Sequence, residues 1–417
     1  MSETPAVPVA VAVLRPTARA GRLSHPFAFA AIAAILVLFM AASSAPSPLY
    51  VVYQREWGFS AATLTVVFAA YVLGLLASLL VIGALSDHIG RRPVLAAAIA
   101  LETVALVLFL TAGDVTVLLA ARVVQGVATG AATTTLAATL VDLNPAHAPG
   151  RAGLVNGVAP ISGLALGALG CGALVQFAPA PTHLVFALLL GAMALAGIVV
   201  ARMPETSARR PGGRASLTPR LGVPVGLRAD VSAIVPIMVA SWALGGLYLS
   251  LGPSVAVGLF GLGSHLVGGL VVTLLCGTGA VTAFLLRAWP TDRVLDTGAT
   301  LLTAGTAVTL GGVLTHAVAL SAAGTVVAGV GFGASALATF GTLARLAAPA
   351  ERGALFAVAY TISYLAFSLP AVLAGVASAS AGLRLTAVVY GLGVVGLGLT
   401  ALVAQRLRPS RRAVRIR

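Results

Sequence analysis

The sequence contains no lysine: all 25 of its Lys-plus-Arg positions are arginine. That absence excludes chemistry before any motif is read. A phosphate-binding loop of the Gly-Lys-Ser/Thr type needs an ammonium on the phosphates, and a pyridoxal site needs a lysine amine for its Schiff base, so this chain can build neither. Charge of either sign is scarce, at 9% of residues, where soluble domains carry about a quarter. Cysteine is nearly absent. Cys171 and Cys276 lie in apolar runs beside glycines, where a thiol packs as a small apolar group rather than as a disulfide or metal ligand. Neither His-Glu-x-x-His nor paired Cys-x-x-Cys spacing occurs, so no metal and no cofactor is expected. Gly391-Leu-Gly393-Val-Val-Gly396 copies a dinucleotide fingerprint by letters, but it lies inside a continuous apolar run with no preceding strand, the wrong setting for that fold element.

What is present is apolar. Of 417 residues 59% are hydrophobic, and the mean hydropathy is +1.04, the composition of an integral membrane protein. Twelve runs come close to the roughly 20 residues with which an α-helix crosses a bilayer core. They are read at 27–47, 61–82, 93–112, 115–141, 152–177, 182–202, 232–252, 264–286, 298–317, 319–346, 353–378 and 382–404. The first, followed by Ala-Ala-Ser-Ser-Ala, mimics a cleavable secretory leader, but eleven further spans argue that it is retained. Pro46 and Pro48 loosen its far end, which is expected to turn through Tyr50–Gly58.

A net charge of +14 could signal nucleic-acid binding, so the placement of the arginines decides the matter. Even-numbered loops carry Arg91, Arg92, Arg151, a cluster between Arg202 and Arg228, then Arg287, Arg293, Arg345 and Arg352; odd-numbered loops carry Arg55 and Arg384. By the positive-inside rule the arginine-rich side is cytoplasmic, which places both termini inside, in the inner or plasma membrane, and leaves no role for nucleic acid.

Residues 1–26 read as a cytoplasmic tail, 27–203 as a first six-helix half, 204–230 as a flexible cytoplasmic linker, 231–405 as a second half and 406–417 as a basic tail. The halves echo each other. Gly126-x-x-x-Gly130-Ala recurs as Gly329-x-x-x-Gly333-Ala, Asp87 has a counterpart in Asp292, and Pro149-Gly-Arg151 resembles Ala350-Glu-Arg352. Internal repeats of this kind build many transporter folds, with substrate bound near the midplane where the repeats meet.

Between the second and third runs stands Gly83-Ala-Leu-Ser-Asp87-His-Ile-Gly90-Arg91-Arg92-Pro93. Its charges cannot enter hydrocarbon cheaply, and Gly90 supplies backbone freedom where the chain reverses. With Gly83, Asp87, Gly90, Arg91 and Arg92 in register, this loop resembles the signature loop of the major facilitator superfamily. The resemblance implies an all-α membrane fold of two pseudo-symmetric six-helix halves, a monomer, and a cytoplasmic loop whose Asp helps hold that face closed. Arg122-Val-Val-Gln-Gly126 with Gly130 is similar to the family's second motif, whose buried Arg is often tied to proton coupling. Gly163-x-x-x-Gly167-Ala-Leu-Gly170 resembles the glycine-rich antiporter motif of its efflux members, although Ala168 stands where a Pro is usual.

Two charges lie within the apolar runs. Glu102 and Arg122 fall about 16 Å and 13 Å from the turn joining their antiparallel spans, at 1.5 Å per residue, so they reach similar depth and are expected to pair. Burial favours a neutral acid and a nearby guanidinium favours a carboxylate, so a change in separation would load or release a proton. A structural ion pair, or a neutral Glu facing other helices or lipid, is the alternative. Gln125, Thr129, Trp242, Tyr248, Tyr360 and Tyr364 are read as cavity lining, and Gly126, Gly130, Gly163 and Gly167 as sites of close helix packing. A mostly apolar, aromatic cavity suits small amphipathic organic compounds better than sugars or phosphates, which need many directed hydrogen bonds. The expectation is therefore a proton-coupled exporter of such compounds, not an enzyme. An uptake symporter or uniporter for a small metabolite, and less so a non-transporting sensor, are the other readings.

Overall fold

The computed structural model describes residues 23–407 apart from 146, 149, 210, 212, 214, 219, 220 and 347–351. The expected tails therefore fall mostly outside the described residues, as do Arg210, Arg214, Arg220, Pro149, Ala350 and Glu351. Every regular element among the described residues is helical. The first half holds α1 (His25–Ser44), α2 (Pro46–Trp57), α3 (Ala61–Ile82), α4 (Ser86–Ile89), α5 (Arg91–Leu110), α6 (Val115–Asp142), α7 (Arg151–Phe177) and α8 (Leu184–Arg202). The second holds α9 (Arg228–Ser250), α10 (Gly252–Phe260), α11 (His265–Leu285), α12 (Thr291–Thr315), α13 (Val318–Leu346), α14 (Arg352–Ala381) and α15 (Leu383–Arg406). Twelve helical segments among the described residues are long and apolar enough to cross a membrane. With an even number of crossings α1 starts and α15 ends on one side, called here the terminal face; the other is the far face.

The outer surface of the bundle is apolar as well as its core. Leu195 is 62% exposed and Val389 60%, as expected where lipid rather than water covers the helices. Inside, one buried cluster fills each half, and a third, with Phe68 and Leu75 of α3, Ala165 of α7, Val272 of α11 and Phe367 of α14, joins the two.

The first span ends differently from the expected turn at Tyr50–Gly58. The regular helix is interrupted at Ala45, whose own backbone stays helical, and resumes as α2 to Trp57, because Pro46 and Pro48 occupy first-turn positions where a missing N–H costs nothing. The second half repeats the device: α9 gives way at Leu251 to α10, with Pro253 in its first turn. Gly58 (φ 67°) and Gly261 (φ 66°) close the two short helices, 203 residues apart as Gly126 and Gly329 are. The ninth span also starts earlier than expected, at Thr291 rather than 298, since Asp292, Arg293 and Asp296 extend the helix beyond its apolar stretch.

The repeated glycines do equivalent work. A Cβ on Gly126 or Gly130 would strike the backbone of α3 at Tyr71 and Leu75, and one on Gly329 or Gly333 the backbone of α11 at Leu275 and Gly279. In each half the fourth span lies directly against the second. Gly163 and Gly167 press α7 on α1 in the same way, at Val37 and Ala41. The linker is not loose at its start: Glu205, Thr206 and Ser207 bond to the first half, and short 3-10 turns follow at Ala215–Leu217 and Val225–Leu227.

Candidate functional site

Three constellations lie along the bundle axis. On the terminal face Gly90 adopts φ 112°, outside the reach of most side chains, and this turn aims Arg91 inward. Arg91 is 8% exposed. Its Nη1 lies 2.6 Å from Asp87 Oδ1 and donates to Ser86 Oγ at 2.6 Å, while Nε donates to Asp142 Oδ2 at 3.1 Å. Arg92 turns the other way, donating to the carbonyls of Val200 and Ala201 at the end of α8. Glu205 Oε1 and Oε2 accept from the backbone N–H groups of Arg91 and Arg92 at 2.8 and 3.2 Å. A carboxylate there satisfies orphan donors and complements the positive end of the α5 dipole. Gly83 caps the end of α3, its backbone N–H donating to the Leu79 carbonyl at 3.1 Å. Asp142 and Glu205 escaped the sequence reading. With only 11 acidic residues in the chain, two beside arginine-rich loops were the available signal.

The second constellation is buried in the first half. Glu102 has no exposed surface and Arg122 only 1%, yet they make no direct ion pair among the described residues. Gln125 stands between them. Its Nε2 donates to Glu102 Oε1 at 3.0 Å and to the Ala42 carbonyl at 3.1 Å, and its Oε1 accepts from Arg122 Nη1 at 2.6 Å. One helical turn separates Arg122 from Gln125, which is why a single side chain can bridge them. Arg122 Nη1 also donates to the Ser43 carbonyl at 3.0 Å. Its guanidinium carbon stands 4.8 Å from the centroid of Tyr71 and 5.5 Å from that of Tyr50, within the range of cation–π attraction. Tyr71 donates its hydroxyl to Ser43 Oγ at 2.9 Å. Glu102 Oε2, Arg122 Nε, Tyr50 Oη and Thr129 Oγ1 are buried without a protein partner. The expected direct pair is thus a three-membered chain of carboxyl, amide and guanidinium. Gln125 and Thr129, expected in the cavity wall, are fully buried and belong to this interior.

The third constellation belongs to the second half. Trp242 of α9 sits 5.0 Å from Tyr364 and 5.8 Å from Phe367 of α14, edge to face, and 6.4 Å from Phe340 of α13. Phe340 lies 5.2 Å from Tyr360, and Tyr360 6.2 Å from Tyr364. Tyr360 and Tyr364 share a helix face four residues apart. Trp242, Tyr360 and Tyr364 are all half-buried. Phe68 of the first half closes on Phe367 at 5.1 Å. Tyr248 does not join this group: it is buried, and its hydroxyl lies 2.7 Å from Thr325 Oγ1 within the second half. Chemically, the aromatic group offers ring faces and edges and few directed polar bonds.

The halves touch at the far face and toward the middle. Thr273 Oγ1 donates to the Ala165 carbonyl at 3.1 Å, Ser264 Oγ to Gln176 Oε1 at 3.1 Å, and Gly375 of α14 abuts Thr65 of α3. Toward the terminal face, a Cβ on Gly153, Gly157 or Gly341 would meet nothing within 4 Å. No group of three side chains able to hold a metal ion occurs among the described residues.

A comparison with curated proteins finds no match. Solved structures are similar in fold. A bacterial homologue of the human lysosomal transporter Spinster, inward-facing and unoccupied, aligns with a TM-score of 0.71 at 13% identity over 92% of this chain and 97% of that one. The same protein, inward-facing and occupied, gives 0.72 at 13% over 91% and 97%. The human organic anion transporter MFSD10 (TETRAN) gives 0.65 at 17% over 92% and 100%. The sequence matches the family described as Major Facilitator Superfamily over residues 31–369. Twelve spans in two repeated halves and a match over most of its length agree: the chain belongs to the major facilitator superfamily.

Proposed function

We propose that the protein is a proton-coupled exporter of small amphipathic organic compounds that works by alternating access. The family is one of membrane transporters, so the chain moves solutes rather than transforming them. The observation that carries the finer reading is the separation of two chemistries. The aromatic group of the second half takes up a solute by ring contact, and the Glu102–Gln125–Arg122 chain of the first half holds and gives up a proton.

Glu102 is suited to that role because Gln125 Nε2 can donate to Oε1 whether the acid is neutral or ionised, while Oε2 has room in its bonding for a proton. Ionisation adds a negative charge near Arg122, and the attraction draws the chain together; protonation releases it. A buried charge costs most when unpaired, so that change in attraction favours different arrangements of α5 and α6. We place the terminal face in the cytoplasm by the positive-inside rule, and propose one chain in the plasma or inner membrane as the working unit. The contacts at the far face then belong to an outward-closed state, and Asp87 with Arg91 to the cytoplasmic gate.

The test is flux in proteoliposomes carrying an amphipathic fluorescent dye. An imposed proton gradient of inward direction should drive dye out against its own gradient without ATP, and collapsing the proton gradient should stop it. Dye movement that follows only its own gradient contradicts coupling.

A further inference from the structure

Among the bonds that hold the far face shut, one completes an element of one half with a side chain of the other. α11 begins at His265, and Ser264, the residue before it, does not cap its own helix. Gln176, in the last turn of α7, supplies the acceptor instead: its Oε1 takes the backbone N–H of His265 at 3.0 Å and the hydroxyl of Ser264 at 3.1 Å. The first N–H groups of a helix have no partner within it, and the acceptor normally comes from the residue just before. Here it crosses from the first half to the second.

The surfaces around this contact are shaped to let it form. A Cβ on Gly172 would lie 3.2 Å from the Cα of Gly269, and one on Gly268 would lie 3.6 Å from Pro48 Cα and 3.4 Å from Pro253 Cβ. Gly268 is thus seated between the two short proline-started helices, α2 and α10, that the repeat places in equivalent positions. These small residues permit close approach but make no directed bond. Gln176 does.

We infer that Gln176 is the latch of the far-face gate. Its cap on α11 exists only while the halves are closed there, and a contact made in one state and absent from the other shifts the equilibrium between them by its own free energy. On opening, water replaces it at both ends, so the bias is modest. Loss of a helix cap corresponds to a shift of about two- to fivefold in the ratio of states. The inference rests on the alternation between faces that the proposed transport requires, not on which solute or ion is carried.

The experiment reads gate opening by chemistry rather than by flux. In a Cys171→Ala, Cys276→Ala background, Val272→Cys places a thiol at a position of 0% exposure, about 10 Å into α11 from His265. A membrane-impermeant maleimide is applied to intact cells and to inside-out vesicles, and the rate is read in whichever preparation labels Phe177→Cys, a far-face position of 76% exposure. Gln176→Met, of similar length and without an acceptor, should raise the Val272→Cys rate about two- to fivefold. Gln176→Glu, which keeps the acceptor, should stay at or below the parent rate, and Ser264→Ala, which removes one of the two bonds, should give a smaller rise than Gln176→Met. Equal Phe177→Cys labelling in all of them checks that the fold is intact. An unchanged rate in both Gln176→Met and Ser264→Ala, or a rise in Gln176→Glu as large as in Gln176→Met, overturns the latch.

Discussion

At the scale of single residues, Arg91 and Arg122 show how differently two arginines of one half are used. Arg91 is shared among Asp87, Asp142 and Ser86, so no single partner decides its position. Asp87→Asn leaves Asp142 in place and, with Asp87 half exposed, should change stability by less than about 1 kcal/mol. Arg91→Ala strands the others and should cost about 1 to 3 kcal/mol. Thermal unfolding of the two variants should rank them in that order. If the gate proposed above reads the charge of Asp87 as well as the position of the loop, transport should fall in both; wild-type flux from Asp87→Asn would remove it from the gate. The loop was legible in the sequence because its glycines and charges sit between two apolar runs. Glu205 was not, since its contact with the N-terminus of α5 spans more than a hundred residues and nothing local announces it. Gln125 was misplaced for a similar reason. A polar residue in an apolar helix can face a cavity or a neighbour, and its spacing from Arg122 fits both.

At the scale of elements, α7 carries two kinds of glycine that look alike in sequence. Gly167 lies against the Ala41 carbonyl and Ser44 of α1, whereas a Cβ on Gly170 would meet nothing within 4 Å. Gly167→Val should overpack the contact and cost about 1 to 3 kcal/mol or more, while Gly170→Ala should be neutral or stabilising by up to about 1 kcal/mol through helix propensity. Equal effects in unfolding experiments would mean that these glycines serve bending rather than packing. Helix α6 starts with a cap that titrates. The backbone N–H groups of Val117 and Thr116 hold the carboxyl of Asp114 below its ordinary range. A carboxyl lowered in the folded state stabilises at pH above its unfolded value and loses that contribution as pH falls through the folded one. Asp114→Ala should therefore lower the unfolding temperature at neutral pH and flatten its decline toward acid. Spans were legible from hydropathy alone; the new helices starting after Ala45 and Leu251 were not, because Pro46, Pro48 and Pro253 read equally well as a helix end and as the first turn of a new helix.

At the scale of the whole molecule, the repeat gives two halves of one architecture and different chemistry. Among the described residues the fully buried charges, Glu102 and Arg122, are in the first half, and the contiguous aromatic group is in the second. The proposed coupling requires that a change at Glu102 be felt across the interface, and α3 packs on both α6 and α14. The measurement that tests this most directly compares proton-driven efflux, solute exchange and thermal stability for Glu102→Gln, Arg122→Gln and the double variant. Glu102→Gln keeps the shape of the protonated acid, so it should fold, retain exchange and lose proton-driven flux and its pH dependence. Arg122→Gln should destabilise by about 1 to 3 kcal/mol, because it leaves the buried Gln125 Oε1 and the Ser43 carbonyl without their donor, and a double variant less destabilised than the sum of the two single variants would show that Glu102 and Arg122 are coupled through Gln125. Proton-driven flux of Glu102→Gln with the wild-type pH profile would contradict the account.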